Sequence, residues 1–311
     1  MLRRTGIFLV SLALASILVF AFMTVLPGDP AQVALGVNAE PEAVARLQER
    51  FGTDRPLPVR YVDWVSGLLT ADFGVSYVTQ AAIGPQIVDR FLVTLWLVAT
   101  ATALALLLAV PVGVVAAVRH QRPTGAALSG LSQVGIAVPS FLAGMLLIAL
   151  FAVHWRLLPA GGWTPPVEDP GRFVRGLILP AVSLGIVQAA VLTRYVRSAV
   201  LDVLREDYLR TARAKGMGPY LALIRHGLRN AALPVVTVLG LQLATLLIGA
   251  VVVERVFVLP GLGSLLLDGV ANRDLLLVQG VVMVLVLAVL VVNYVVDVLY
   301  VVIDPRLRRG T

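Results

Sequence analysis

Cysteine is absent from the 311 residues, and histidine occurs three times, at His120, His154 and His226. Without thiols the chain has no disulfide, no thiolate metal site and no cysteine nucleophile. The histidines fall far apart on different segments, so neither a metal site nor a hydrolase constellation is expected. Charge is scarce too: 14% of residues are charged and 59% hydrophobic, with a mean hydropathy of +0.91. Soluble domains carry roughly a quarter charged residues, so this composition is that of a polytopic, all-α membrane protein. There is no G-x-x-x-x-G-K-[ST] run, no H-E-x-x-H and no evident nucleophile–base pair, which argues against an ATPase or an intramembrane enzyme. The net charge of +7 does not indicate nucleic acid, because the basic residues flank apolar runs instead of forming a stripe.

What the chain does contain is long apolar runs. About 20 residues cross a bilayer core, and Ile7 to Leu26 is an uncharged run behind Arg3 and Arg4. A signal peptide fits the basic start, but the run exceeds a signal h-region and no A-x-A site follows, so a retained span is expected. Further spans are predicted at Phe91–Val118, Ala126–Val153, Leu177–Val200, Ala231–Val253 and Leu275–Ile303. Pro139–Ser140 interrupts the third, and Arg194 and Arg197 enter the end of the fourth, where they can snorkel. Fifteen of the 25 Lys and Arg fall on one side of this layout, in segments much shorter than those opposite. Both termini are therefore expected in the cytoplasm.

Residues 27–90 hold eight acidic residues against five arginines, which suits the external side. Val44, Leu47 and Phe51 follow Pro41 at helical spacing, and Val59, Val62, Val65 and Leu69 follow Pro58, so two helices are expected there. Glu254–Asp274 reads as an external loop carrying the turn Pro260-Gly261-Leu262-Gly263. That turn fits an external gate or partner contact as well as it fits a plain tight loop. Gln133, Gln188 and Gln242 lie on three different spans. They suit a polar pathway or interhelical hydrogen bonds equally, whereas Asn293 and Asp297 in the last span fit a structural helix–helix hydrogen bond better than a pathway lining.

Residues 201–234 form a charged island between two apolar spans. Leu201, Leu204, Tyr208 and Ala212 fall on one helical face, and Glu206 precedes Arg210 in the favourable i,i+4 order. Gly216 suits a helix C-cap and Pro219 a first helical turn, so two helices joined by Gly216-Met217-Gly218 are predicted. By periodicity alone, such a basic amphipathic segment also fits a loop lying on anionic lipid.

Tyr208-Leu209-Arg210-Thr211-Ala212-Arg213-Ala214-Lys215-Gly216, followed by Arg225 to Ala231 and Leu233-Pro234, resembles the cytoplasmic signature loop of bacterial ABC-type importer permeases. The similarity is to the first-permease subunit of the dipeptide and oligopeptide group, which shares its motifs with nickel and glutathione permeases. The general signature opens with Glu-Ala-Ala, and Arg210 and Thr211 stand where its Glu and first Ala would be. Similar motifs recur along the chain: Leu26-Pro27-Gly28-Asp29-Pro30, Asp54-Arg55-Pro56-Leu57-Pro58 and Asp72-Phe73-Gly74-Val75-Ser76 in the external segment, then Val138-Pro139-Ser140-Phe141. Phe257 to Gly263, Asn272-Arg273-Asp274, Asn293 to Asp297 and Asp304-Pro305-Arg306 complete the set.

The resemblance implies a type I ABC importer permease fold with six spans, a single domain over 1–311, in the bacterial cytoplasmic membrane. It implies a second permease, two cytoplasmic ATPases that bind ATP and Mg, and an external substrate-binding protein, with no cofactor on this chain. It makes 201–234 the coupling loop, with Tyr208, Arg210, Thr211, Ala212, Arg213, Ala214, Lys215, Gly216, Met217 and Tyr220 as its docking residues. An ion-gradient-driven secondary transporter is the rival from another class, and it would be expected to hold more intramembrane carboxylates than Asp297.

Overall fold

The computed structural model describes residues 2–25, 30–35 and 39–303. Leu26–Asp29 of the first motif and Asp304-Pro305-Arg306 lie outside the described residues. In chain order the helices are α1 (Leu2–Val25), α2 (Pro30–Leu35), α3 (Pro41–Phe51), α4 (Leu57–Leu69), α5 (Ile83–Val118), α6 (Pro123–Ala137) and α7 (Ser140–Leu147). They continue with α8 (Pro170–Leu204), α9 (Asp207–Ala214), α10 (Pro219–Ala222), α11 (Leu228–Val256), α12 (Leu262–Ala271) and α13 (Leu275–Ile303). π-Helical turns follow α7 at Ile148–His154 and α10 at Leu223–Gly227. Among the described residues there is no strand, only an isolated bridge between Val75 and Ala82.

Five helical segments are long and apolar enough to cross a membrane, and a sixth crossing results if the bent pair Pro123–Ala137 and Ser140–His154 is one span. The pair bends by 96° at Val138–Pro139. The residue before a proline is driven to extended backbone, and Val138 adopts it (φ −87°, ψ 119°). Pro111, Pro180 and Pro234, by contrast, sit inside unbroken helices. The predicted fifth span starts late: the helical segment Tyr220–Val256 begins in the island, passes through the π-helical turn and continues through Pro234.

The described residues gather into two compact units. The first holds those up to Thr94 together with Pro260–Tyr294. Here α4 packs on α1 through Tyr61 and Trp64 against Phe20, with a hydrogen bond between the Ser16 and Tyr61 hydroxyls (2.9 Å). Its core joins Ile83 and Ile87 of α5 to Leu262 and Leu265 of α12 and Leu277 and Val281 of α13. The two predicted external helices are present as α3 and α4. Leu14, Ile17, Leu18 and Phe22 of α1 remain exposed, which is favourable only for a helix facing lipid or another apolar surface.

The second unit holds Leu95–Leu259 and the described residues from Val295. Its centre is α8, buried along most of its length. Ala101, Ala105, Ala109, Gly113 and Ala117 recur every fourth residue of α5 and are all buried. This small-residue stripe lets α5 and α8 approach closely, as membrane helix pairs require. A Cβ built on Gly113 would lie 2.7 Å from Val196 Cβ. On the same helix Arg194 lies over the Tyr195 ring, 5.0 Å from its centroid.

Candidate functional site

The charged island is built around a break in α8. That helix continues to Leu204, and the chain turns at Arg205–Glu206 before α9 begins at Asp207. The break shifts the helical register so that Leu209 takes the place of Tyr208 on the inward face, which Leu201, Leu204 and Ala212 keep. Tyr208 is 38% exposed, while Leu209 at 1% and Ala212 at 7% point inward. They pack with Val196, Ala199, Val200 and Val203 of α8, Ala117 of α5, and Ala222 and Leu223. Burying Leu209 alone contributes about 2 kcal/mol of apolar transfer. The ion pair also differs from expectation: Glu206 is the N-cap residue, and Arg210 meets Asp207 at 3.5 Å. Both partners of that pair are largely exposed, so it contributes little.

Gly216 closes α9 with a Schellman motif. Its N–H donates to the Arg213 carbonyl at 3.0 Å, and the Met217 N–H donates to the Ala212 carbonyl at 3.3 Å. Gly216 has φ +90°, in the region glycine favours, and a Cβ there would meet no atom within 4 Å. The turn therefore demands glycine for its backbone and not for lack of room. Met217 is half-buried against Ala212's cluster. Asn230 donates from Nδ2 to the Tyr208 hydroxyl at 2.9 Å, tying α9 to the start of α11. What remains exposed of the expected docking residues is Arg210, Thr211, Arg213, Ala214, Lys215 and Gly216, with Tyr208 and Tyr220 to either side in sequence. Ala212 belongs to the packing beneath.

Of the three glutamines, two are brought together. Gln242 on α11 donates from Nε2 to Gln188 Oε1 on α8 at 3.4 Å, and the buried Gln188 Nε2 has no hydrogen-bond partner. Gln133 on α6 is exposed. Asn293 and Asp297 are both exposed on α13.

The turn at Pro260–Gly263 is no loop. Gly261 is the N-cap residue of α12, and Gly261, Leu262 and Gly263 are buried. The Leu262 N–H donates to Thr94 Oγ1 at 2.9 Å, which satisfies one of the free donors of that helix start. Glu254, expected to begin an external loop, is fully buried inside α11. These residues present little surface for a partner.

Residues 109–309 match the family described as the binding-protein-dependent transport system inner membrane component. Residues 1–98 match that family's N-terminal membrane component. The chain is a member of this ABC importer permease family. The glutathione transport system permease protein GsiC of Salmonella typhimurium is 41% identical over 298 residues, covering 96% of this chain and 95% of that protein. GsiC of Escherichia coli strain K12 is 40% identical over the same share of each. An amino acid ABC transporter solved with histidines covers 70% of this chain and 93% of its own at 16% identity, with a TM-score of 0.49. The permease is thus a multi-pass protein of the bacterial inner membrane and a non-enzymatic membrane component.

Two motifs of the permease that lie some 200 residues apart meet in the first unit. Asp274, 2% exposed, precedes α13 and accepts from the Leu277 N–H at 3.4 Å as an N-cap does. The same carboxylate accepts from the Ser76 hydroxyl and from the Tyr77 N–H at 3.3 Å. Ser76 Oγ in turn accepts from the Thr79 N–H at 2.9 Å. Burial pushes the Tyr77 hydroxyl above its ordinary pKa; Arg60 opposes this and Asp274 adds to it. A buried charge held by three donors was not apparent from Asn272-Arg273-Asp274. The only signal was an Asp just ahead of an apolar run, which is the form of an N-cap.

Proposed function

We propose that this permease forms half of the translocation pathway of an importer for short peptides, and that residues 201–234 dock it to a cytoplasmic ATPase. The observation that carries the docking is the division of α9 into two faces. Leu209 and Ala212 fix it to α8, while Arg210, Thr211, Arg213 and Lys215 stay exposed ahead of the Gly216 turn. A helix so anchored moves with α8 and α11 as a body, which is what transmitting ATPase closure to the spans requires. The importer then comprises a second permease, two ATPases that bind ATP and Mg, and an external binding protein, with both termini of this chain cytoplasmic. Relatives named as glutathione permeases support a peptide-like substrate, glutathione being a tripeptide. The Gln188–Gln242 pair offers amide groups suited to a peptide backbone.

Affinity purification of the tagged permease tests the assembly, with the two ATPases and the second permease expected to co-purify. Reconstituted vesicles supplied with the binding protein are then expected to accumulate glutathione or di- and tripeptides only with internal ATP. Uptake driven by an ion gradient without ATP refutes the importer reading. Uptake of nickel and not peptide refutes the substrate.

A further inference from the structure

The first unit encloses a cavity of about 370 Å³, within the size range of small-ligand sites. It lies among α3, α4, the segment after α4 and the start of α13, and its lining combines aromatic faces with charge. Phe51 and Tyr77 stack at 4.3 Å between ring centroids, and Trp64 forms another part of the wall. Some of the charge is already satisfied. Arg55 pairs with Asp63 at 3.2 Å, and Asp72 accepts from the Gly74 N–H at 2.9 Å. Two donors are not. Gln279, on the second turn of α13, is 7% exposed, and its Nε2 has no hydrogen-bond partner. Arg60, half-buried, makes no side-chain hydrogen bond or ion pair with any described residue; its positive charge acts on the Tyr77 hydroxyl.

A buried amide donor left without an acceptor is costly, and a guanidinium lining the same cavity is suited to a carboxylate. Glu49, on the rim with no side-chain partner, supplies the opposite charge. We propose that this cavity is a binding site for short zwitterionic peptides, the carboxylate held by Arg60 and Gln279 and the peptide body lying against Phe51, Tyr77 and Trp64. The site's chemistry stands on the cavity alone, whereas its place on the route of uptake rests on the importer reading.

The test uses the intact permease, purified with its partner subunits in lipid nanodiscs and titrated with trialanine, trialanine amide and propionate. Calorimetry measures affinity, and fluorescence of the wild type against Trp64→Phe locates the ligand. Trialanine is expected to bind with a Trp64-dependent signal. The amide, lacking the charge, and propionate, lacking the peptide body, are each expected to bind at least about tenfold more weakly. Arg60→Gln and Gln279→Leu are expected to weaken trialanine by about tenfold, and Arg60→Lys by less. Equal binding of acid and amide by the unaltered protein overturns the proposal. So do a signal that survives Trp64→Phe and affinity unchanged in Arg60→Gln. Vesicle uptake is a separate readout: its loss with peptide binding retained counts against the importer reading and not against this site.

Discussion

Replacing Gly216 tests whether the island works through its backbone. At φ +90°, with no atom within 4 Å of a Cβ, a Cβ meets no steric obstacle, so the cost of adding one is conformational. An L-residue in the left-handed region costs about 1–2 kcal/mol, and asparagine less because its side chain bonds locally. The Schellman turn should therefore loosen in Gly216→Ala and Gly216→Val by about 1–2 kcal/mol, roughly five- to thirtyfold in its closed population. Gly216→Asn should fall between these and the wild type. The assay is ATP-driven uptake in reconstituted vesicles, expressed per ATP hydrolysed, alongside protection of the Met217 amide from hydrogen exchange. Both readouts should rank glycine above asparagine above alanine and valine. Equal uptake in all four proteins, with Met217 protection falling as expected, would break the link between this turn and coupling. Equal protection would refute the backbone argument itself.

Ala212→Asp puts a carboxylate beneath α9 among Leu209, Val200 and Leu223, at a cost of several kcal/mol. It should expose the island to limited proteolysis, whereas Arg213→Asp on the outer face should leave digestion unchanged and lower ATPase co-purification. Asp274→Ala removes the acceptor shared by Ser76, Tyr77 and Leu277. It should lower thermal stability in detergent by about 1–3 kcal/mol or more, with Ser76→Ala costing less. For Tyr77 the raised pKa fixes the direction with pH: the folded site prefers the neutral phenol. Its contribution is complete below the ordinary value of 10.0 and is lost as pH rises through the folded pKa. Thermal melts from pH 9 to 11 should therefore fall less steeply for Tyr77→Phe than for the wild type.

Periodicity carried much of the fold. The apolar runs marked the crossing helices because hydrophobic length is a local property, and Pro139 marked the sharp bend because its constraint on Val138 is local too. Pro111, Pro180 and Pro234 show the limit of that reading: the same residue sits inside an unbroken helix whether buried, as at Pro180, or exposed, as at Pro111 and Pro234. In the island, Gly216 was legible as a cap and Leu201, Leu204 and Ala212 as the inward face, but the exchange of Tyr208 for Leu209 on that face was not. The break at Arg205–Glu206 resets the helical phase, and no periodicity count runs through a break. Pro260–Gly263 read as a loop because glycine and proline punctuate, while the capping hydroxyl that makes it a helix start sits 168 residues away on Thr94.

Composition and hydrophobic run length by themselves determined that this chain is an all-helical membrane protein, and its motifs placed it among importer permeases. Tertiary structure alone decided which residues of those motifs face inward. It set Ala212 beneath the exposed face of α9, joined Gln188 to Gln242, and clasped Ser76 to Asp274. It also placed Gln279 and Arg60 on one cavity with no hydrogen-bond partner for either side chain among the described residues. Each of these depends on groups brought together from distant parts of the chain, and a one-dimensional pattern records spacing along the chain and not proximity across it.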